Sequence, residues 1–287
     1  MMSNLKCVRR WKRAQARGAD MILFMFILGA IVGSFLNVCI VRMPHEQSVV
    51  TPRSHCVYCK KPLLWYDNIP FVSYILLGGR CRFCKEKISP RYFLVELITA
   101  ITFVGFYQYF GLTALLPAYL TMVCGFIVAT FVDFEHRIIP DEISVGGMVA
   151  GLLFSAFIPE LHGVSSSTGP LILAHLKSLG WSLAGVLAGG GSIYAMGILG
   201  DFLFKKESMG GGDVKLMAMV GAFLGWQFAI LTFFLAPFFG AVYGIAEKIR
   251  TKDTAIAYGP FLVVGALISL FYGDQIIRWI LSGYGLY

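Results

Sequence analysis

Long apolar runs recur along this sequence, and they limit what the chain can fold into more than any other feature. A helix needs about 20 apolar residues to cross the hydrocarbon layer of a membrane. Runs near that length lie at 21–41, 92–110, 113–132, 142–158, 178–200, 214–225, 227–246 and 257–281. We therefore predict an all-α integral membrane protein with about eight transmembrane helices, of which the sixth is short.

The composition agrees with a membrane location. Hydrophobic residues make up 57% of the chain and charged residues only 14%, against about 25% charged residues in soluble domains. The net charge of +8 does not indicate nucleic-acid binding, because the basic residues occupy the gaps between apolar runs, as in loops that face the cytoplasm and lipid headgroups.

The distribution of basic residues predicts the orientation. If the first helix runs from outside to inside, the loop 42–91 is cytoplasmic with nine Lys or Arg. Cytoplasmic segments then hold sixteen basic residues, those after the loop being Arg137, Lys205, Lys206, Lys215, Lys248, Arg250 and Lys252. The opposite side keeps only Lys177 and Arg278. Such an asymmetry is typical of the positive-inside rule.

Residues 1–20 form a basic extension that does not fit this orientation, since it carries six more Lys or Arg. Either translation begins at Met21, or the charges of the loop overrule those of the extension. A cleavable signal peptide is less favoured, because no small-residue cleavage site precedes the loop. The predicted organisation is thus the extension, a first helix at 21–41, a loop at 42–91 and a membrane domain at 92–287.

Four of the seven cysteines form two pairs, Cys56-x-x-Cys59 and Cys81-x-x-Cys84, separated by 21 residues. Two such hairpins bring four thiolates into the tetrahedral arrangement of a closed structural zinc site. The loop is predicted to face the reducing side, where disulfides are disfavoured. We favour structural Zn²⁺, with a redox pair and incidental cysteines as alternatives. The other three cysteines, Cys7, Cys39 and Cys124, we interpret as small apolar residues or a tail thiol.

Carboxylates at membrane depth are costly and are functional-site candidates by default. Asp133 ends the third predicted helix and Asp213 opens the sixth, so both face the cytoplasm in the predicted topology. Two acids 80 residues apart in sequence can then lie at one depth and form a pair. The further acids near that face are Glu96, Glu135, Asp141, Asp201 and Glu207.

Ordinary structural roles compete with this interpretation. Asp213 can be a helix N-cap, and Asp133 can be a solvated loop residue. Three glycines, Gly210 to Gly212, favour the functional reading of Asp213, because they form helix poorly and let another extended chain approach. We expect Glu96 to be a structural helix-end acid that meets Arg91 or another basic residue, and Asp141 to be an N-cap.

Several segments, in order and spacing, resemble the bacterial prepilin peptidases, also called type IV leader peptidases. They are GSFLNVCIVRMP at 33–44, the two cysteine pairs around WYDNIPFVSY, SPRYFLVELITA at 89–100, VDFEHRIIPDEIS at 132–144 and GGGDVKLMA at 210–218. The resemblance covers the chain from about residue 21 to its end, and only the basic extension departs from the family pattern. It implies a multi-pass inner-membrane aspartic protease of the Gly-x-Gly-Asp kind, with Asp133 and Asp213 as catalytic residues and Cys56, Cys59, Cys81 and Cys84 as the zinc ligands.

The same resemblance implies a function. Such enzymes cut the leader of type IV prepilins or type II secretion pseudopilins after a glycine, on the cytoplasmic side, and many then methylate the new amine with S-adenosylmethionine. We expect the 42–91 loop to contribute to the S-adenosylmethionine pocket. Two alternatives stay open from the residues alone: a leader peptidase without methyl transfer, and a transporter or proton relay that uses the same acids.

Overall fold

The computed structural model describes residues 2–164, 170–205, 209–251 and 257–283. Lys206, Glu207 and Lys252 of the charge and acid predictions lie outside these residues. Apart from two isolated β-bridges, the regular elements within these ranges are helices. The α-helices are α1 Met2–Arg42, α2 Val72–Leu76, α3 Pro90–Phe110, α4 Leu115–His136, α5 Asp141–Phe157, α6 Leu171–Phe204, α7 Gly211–Thr251 and α8 Gly259–Gly283. The predicted all-α membrane class is confirmed.

The number of spans differs from the prediction. Within the described ranges, six helices are long and apolar enough to cross a membrane, namely α1, α3, α4, α6, α7 and α8, so the count of eight is not confirmed. With 17 residues, α5 measures only about 26 Å, less than the roughly 30 Å of a hydrocarbon core. The other difference is α7, which holds both the sixth and the seventh predicted runs.

The helix α7 is interrupted at Gly225, whose φ of 79° and ψ of 173° are non-helical. A Cβ on Gly189 of α6 would meet the carbonyl of Met217 and also the Cβ of Ala229, 3.4 Å away. In a straight helix those two residues would lie about 18 Å apart. The chain therefore folds back at Gly225, and the two halves of α7 lie side by side against α6.

The chain divides into two compact units, of which the first comprises Met1–Arg42 and Glu46–Leu116. Its core is the contact between α1 and α3. A Cβ on Gly29 would lie 2.7 Å from the Cα of Ala100, and one on Gly33 would lie 2.8 Å from the Cα of Glu96. This glycine pair, four residues apart, lets the two backbones approach closely, as small residues do between membrane helices. The helix α1 continues without a break from Met2, so the extension is helical rather than separate from the first span.

The second unit comprises Met43–His45 and Pro117–Tyr287. The backbones of α6 and α7 meet where Gly185 faces Gly221. The side chain of Met219 on α7 fills the space left by Gly125 of α4 and by Gly147 of α5. This packing fixes the first half of α7, which carries Asp213, against α4, which carries Asp133.

Candidate active site and metal centre

Two turns of the same geometry hold the four paired cysteines in the first unit. In the first turn the N–H of Lys60 donates to the carbonyl of Cys56, and the N–H of Cys56 donates to Lys61. The second turn has the same two bonds: the N–H of Lys85 donates to the carbonyl of Cys81, and the N–H of Cys81 donates to the carbonyl of Glu86. Each turn closes with a lysine at positive φ, 57° for Lys60 and 60° for Lys85.

The four sulfur atoms converge as the spacing predicts. All of them lie within 4.8 Å of one another, and the sulfurs of Cys56 and Cys84 are 3.8 Å apart. A tetrahedral zinc ion with Zn–S bonds of about 2.3 Å places its sulfurs roughly 3.8 Å apart. The backbone N–H groups of Cys84 and Phe83 lower the pKa of Cys81 to about 6. The backbone of Glu86 lowers the pKa of Cys84, but burial and the hydrogen bonds of the other three cysteines together raise it to about 11. The cluster is a candidate metal centre.

Buried and paired side chains anchor the loop around this centre. The guanidinium of Arg42, at the end of α1, donates to the carbonyls of Ser48 and Pro52 at 2.9 and 2.7 Å. Arg82, inside the second cysteine pair, forms a bidentate pair with Asp67, whose shortest N–O distance is 2.7 Å. These contacts tie the cysteine turns to the membrane helix that precedes them and to the turn at Trp65–Asn68.

Glu96 has a structural role in the same unit, but the partner described for its carboxylate is a backbone N–H and not the basic residue that the sequence predicted. It is buried on α3, and its carboxylate accepts a hydrogen bond of 3.0 Å from the backbone N–H of Phe71. Phe71 has a φ of 62°, a conformation that costs energy for a bulky residue. Glu96 thus stabilises the strained entry to α2.

Asp133 lies in the last turn of α4, in the second unit, and is only 5% exposed. One of its oxygens, Oδ2, accepts a hydrogen bond of 2.8 Å from the backbone N–H of Gly259. Asp133 is therefore not a solvated loop residue. Phe134 and Glu135, which follow it in the chain, are exposed, so of these three residues Asp133 is the one that points into the protein.

Asp213 lies in the first turn of α7 and is half-buried. Because α7 begins at Gly211, Asp213 is its third residue and not its N-cap, and two of the three glycines are helical, contrary to the sequence expectation. The backbone N–H of Gly210 donates to the Asp213 carboxylate, which is the reciprocal bond of a capping box.

The start of α7, which carries Asp213, and the start of α8, which binds Asp133, both pack against one buried side chain, Ile139. A Cβ on Gly212 would lie 3.1 Å from the Cβ of Ile139, and a Cβ on Gly259 would lie 3.1 Å from its Cδ1. The carboxyl groups are close enough for the charge of Asp133 to act on Asp213. The structure thus brings together the two acids that the sequence placed 80 residues apart, and two neighbouring carboxyl groups can share one proton.

A phenol lies beside the pair. Burial and, second, the charge of Asp213 raise the pKa of Tyr258 to about 12. The phenol is protonated at neutral pH, as an unperturbed tyrosine also is, and can donate a hydrogen bond to a bound group.

Asp141 does not act as the predicted N-cap. Pro140 occupies that position, and Asp141 lies in the first turn of α5. Its carboxylate instead binds the ammonium of Lys215, with both N–O distances 2.7 Å. Both side chains are largely exposed, so this ion pair links the starts of α5 and α7 with little energy of its own.

Four residues at the site were missed from the sequence: Ile139, Tyr258, Gly259 and Lys215. Ile139 is one apolar residue among many, and Gly259 acts through its backbone. For Lys215 a signal existed, since it stands two residues after Asp213, but its partner lies 74 positions away.

Two family models match the parts of the chain that hold these residues. The sequence model described as Bacterial Peptidase A24 N-terminal domain matches residues 27–110, which include the four cysteines. The model described as Type IV leader peptidase family matches residues 120–245, which include both aspartates. No solved structure matches the chain.

Curated relatives named prepilin leader peptidase/N-methyltransferase share most of the chain, as three of them show. The protein of Myxococcus xanthus is 39% identical over 80% of this chain, which spans 64% of that relative's length. The protein of Pseudomonas aeruginosa is 33% identical over 90% of this chain and 92% of its own length. The protein of Aeromonas hydrophila is 31% identical over 94% of this chain and 97% of its own length. The chain belongs to the type IV leader peptidase family.

Proposed function

We propose that this protein is an inner-membrane aspartic endopeptidase that removes the leader of type IV prepilins or type II secretion pseudopilins and then N-methylates the new N-terminal residue. The observation that carries the proposal is that Asp133 and Asp213 lie within electrostatic reach of each other, at helix ends that pack against Ile139. The family supports it, because relatives at 31 to 39% identity bear both activities in their names. Those names also favour the peptidase over the transporter and the bifunctional enzyme over a peptidase alone.

The proposed hydrolysis uses the two carboxyl groups as one acid and one base. The charged aspartate removes a proton from a water molecule, which attacks the carbonyl carbon of the glycine that precedes the cut. The protonated aspartate donates to the oxyanion or to the leaving amine. The water supplies the hydroxyl of the new carboxyl group, and its proton ends on the released amine.

Glycine before the cut suits the surroundings of the pair. Gly210 is exposed immediately before α7, and a Cβ there would lie 3.2 Å from the Asp213 carboxylate, so it offers a surface without a side chain next to that acid. An extended substrate backbone can approach there, and a substrate glycine adds no bulk of its own. We assign the cut to the cytoplasmic side, as the distribution of Lys and Arg in the sequence predicts.

The cysteine cluster we assign to a structural zinc ion held by Cys56, Cys59, Cys81 and Cys84. The donor set supports it, since four converging thiolates are typical of closed zinc sites. Bound zinc would fix the fold of the 42–91 loop, because metal-binding free energy is folding free energy in such small sites.

Methyl transfer requires S-adenosylmethionine, whose sulfonium carries the methyl group to the amine. The neutral amine is the nucleophile, and its unperturbed pKa is roughly 7.7 to 8.0, so a nearby base or local desolvation is sufficient to prepare it. We assign this activity to the 42–91 loop of the first unit and not to the aspartate pair.

A labelled prepilin leader peptide, incubated with the detergent-solubilised protein with and without S-adenosylmethionine, tests the proposal. Mass spectrometry should show cleavage after glycine, and a further methyl group on the mature fragment when the methyl donor is present. Cleavage without methylation supports a leader peptidase alone. An intact peptide would contradict the proposed function.

A further inference from the structure

The start of α8 lies against Asp133, although it belongs to a part of the chain beyond the family match, which ends at residue 245. Gly259 is the first residue of α8. The next helical bonds, from the N–H groups of Phe261 and Leu262, go to the carbonyl of Tyr258. The N–H of Gly259 is thus one of the donors that a helix start leaves without an intrahelical partner, and Asp133 accepts it at 2.8 Å across 126 residues.

Gly259 also leaves room for that carboxylate. A Cβ at this position would lie 2.8 Å from Oδ2 of Asp133 and 3.4 Å from its Cγ. Real Cβ contacts essentially never come below 3.0 Å, so any side chain at 259 requires Asp133 to move. Gly259 is not among the glycines with positive φ, and alanine can adopt its backbone. The requirement for glycine at this position is one of space and not of conformation.

We infer that Gly259 is a positioning residue of the aspartate pair: its N–H holds Oδ2 of Asp133, and its missing side chain gives that carboxylate its place. The inference rests on the proposed peptidase function. Because Oδ2 accepts the hydrogen bond from the start of α8, the other carboxylate oxygen of Asp133 is the one that contacts water and substrate. The start of α8 thereby becomes a third element of the site, beside the end of α4 and the start of α7.

Three glycine-to-alanine variants in the same helix test the inference. Gly259→Ala displaces Asp133. Gly273→Ala places a Cβ 2.6 Å from the ring of Phe228, so it perturbs the packing of α8 far from the pair. Gly283→Ala meets nothing within 4 Å and is the control for the substitution itself. Each is measured for kcat and KM on a prepilin peptide, with unfolding midpoints in the same detergent.

We expect Gly259→Ala to lower kcat at least roughly tenfold with little change in KM, since misplacement of a reacting group by about 1 Å costs on the order of 100-fold. Gly273→Ala should lose stability to a similar extent but keep kcat within about twofold, because its contact does not reach Asp133. A kcat in Gly259→Ala equal to that of Gly273→Ala overturns the inference. If the parent protein and Gly283→Ala do not cleave, the proposed function fails instead.

Two further variants separate the causes. The Cβ of Gly259→Ala also approaches Cδ1 of Ile139 at 3.1 Å, and Ile139→Val removes that atom. If the double variant regains parental kcat, Ile139 and not Asp133 is the source, and the inference is overturned. Replacing Gly259 by glycolic acid turns its amide into an ester, which removes the N–H and adds no bulk. This variant should lower kcat roughly tenfold even if Gly259→Ala does not fold, and an unchanged kcat contradicts the role of the hydrogen bond.

Discussion

The two neighbouring glycines before Asp213 should respond very differently to the same substitution. A Cβ on Gly212 would lie 3.1 Å from the Cβ and 3.4 Å from the backbone nitrogen of Ile139, whereas one on Gly211 meets nothing within 4 Å. Contacts of 3.1 Å require the neighbours to separate by a few tenths of an ångström. Because Ile139 is buried and its backbone is involved, the start of α7 is the part that moves, and Asp213 moves with it.

The size of the effect follows from these distances. If a displacement of about 1 Å costs on the order of 100-fold in rate, a few tenths should cost roughly four- to tenfold in kcat for Gly212→Ala. Overpacking should also cost about 1 to 3 kcal/mol of unfolding free energy. Gly211→Ala carries the same added methyl group without the contact, and alanine favours helix over glycine by up to about 1 kcal/mol. It should keep its kcat within about twofold and be no less stable than the parent.

The assay is steady-state cleavage of a prepilin peptide, with unfolding midpoints measured in the same detergent. Equal kcat values for the two variants would refute the reasoning, because they share everything except the contact with Ile139. A larger loss in Gly211→Ala than in Gly212→Ala would contradict the geometry directly.

Two further predictions concern other parts of the chain. The double substitution Cys56→Ser and Cys81→Ser should remove bound zinc and loosen the 42–91 loop. The control Cys39→Ala, at a buried cysteine outside the cluster, should keep the metal. Full zinc occupancy of the double variant, measured by elemental analysis, would contradict the zinc assignment. Burial lowers the pKa of His162 to about 4 from its ordinary 6.5, so the unfolded chain binds a proton at this residue in a pH range where the folded protein does not. The stability of the parent protein should therefore fall as the pH drops from about 6.5 towards 4, and that of His162→Gln should fall less. Unfolding midpoints near pH 7 and pH 4.5 measure this difference. Equal losses of stability in the variant and the parent would exclude His162 as the cause.

The helices were predictable from the sequence because apolar runs report directly on burial in lipid or protein. The boundary between the sixth and seventh runs, at 225–227, falls where α7 turns back at Gly225. What the runs could not indicate is that this turn has no loop. That feature depends on how α6 packs against α7, through contacts such as that between Gly185 and Gly221.

Some residues of the candidate site were likewise predictable from the sequence, and others were not. Cys56 and its three partners were predictable because a paired spacing encodes a local turn, and the two aspartates because acids are rare near apolar runs. The Gly-x-Gly-Asp spacing has a steric reason, since a Cβ on Gly210 would lie 3.2 Å from Asp213 while Gly211 faces open space. The role of Gly259 could not be predicted, because a backbone N–H has no sequence signature and its partner lies 126 residues away.

Asp141 shows where a local rule failed. An acid at the start of a predicted helix indicates an N-cap, but Pro140 takes that position, and Asp141 is free to pair with Lys215. The pairing partner lies on α7, so only the tertiary structure decides between the two roles.

In the proposed function, Asp133 and Asp213 act together in hydrolysis and not in methyl transfer. Asp133→Asn and Asp213→Asn each remove one ionisable member of the pair and keep its size. On a full prepilin peptide both variants should lose cleavage, and with it methylation, because the amine to be methylated does not exist before the cut. On a synthetic mature pilin peptide that already begins at its new N-terminus, both should still transfer a methyl group from S-adenosylmethionine. Mass spectrometry of both substrates with each variant and the parent makes the measurement. Cleavage that survives in either variant would contradict the paired mechanism, and methylation lost on the pre-cut peptide by a well-folded variant would show that the two reactions share one site.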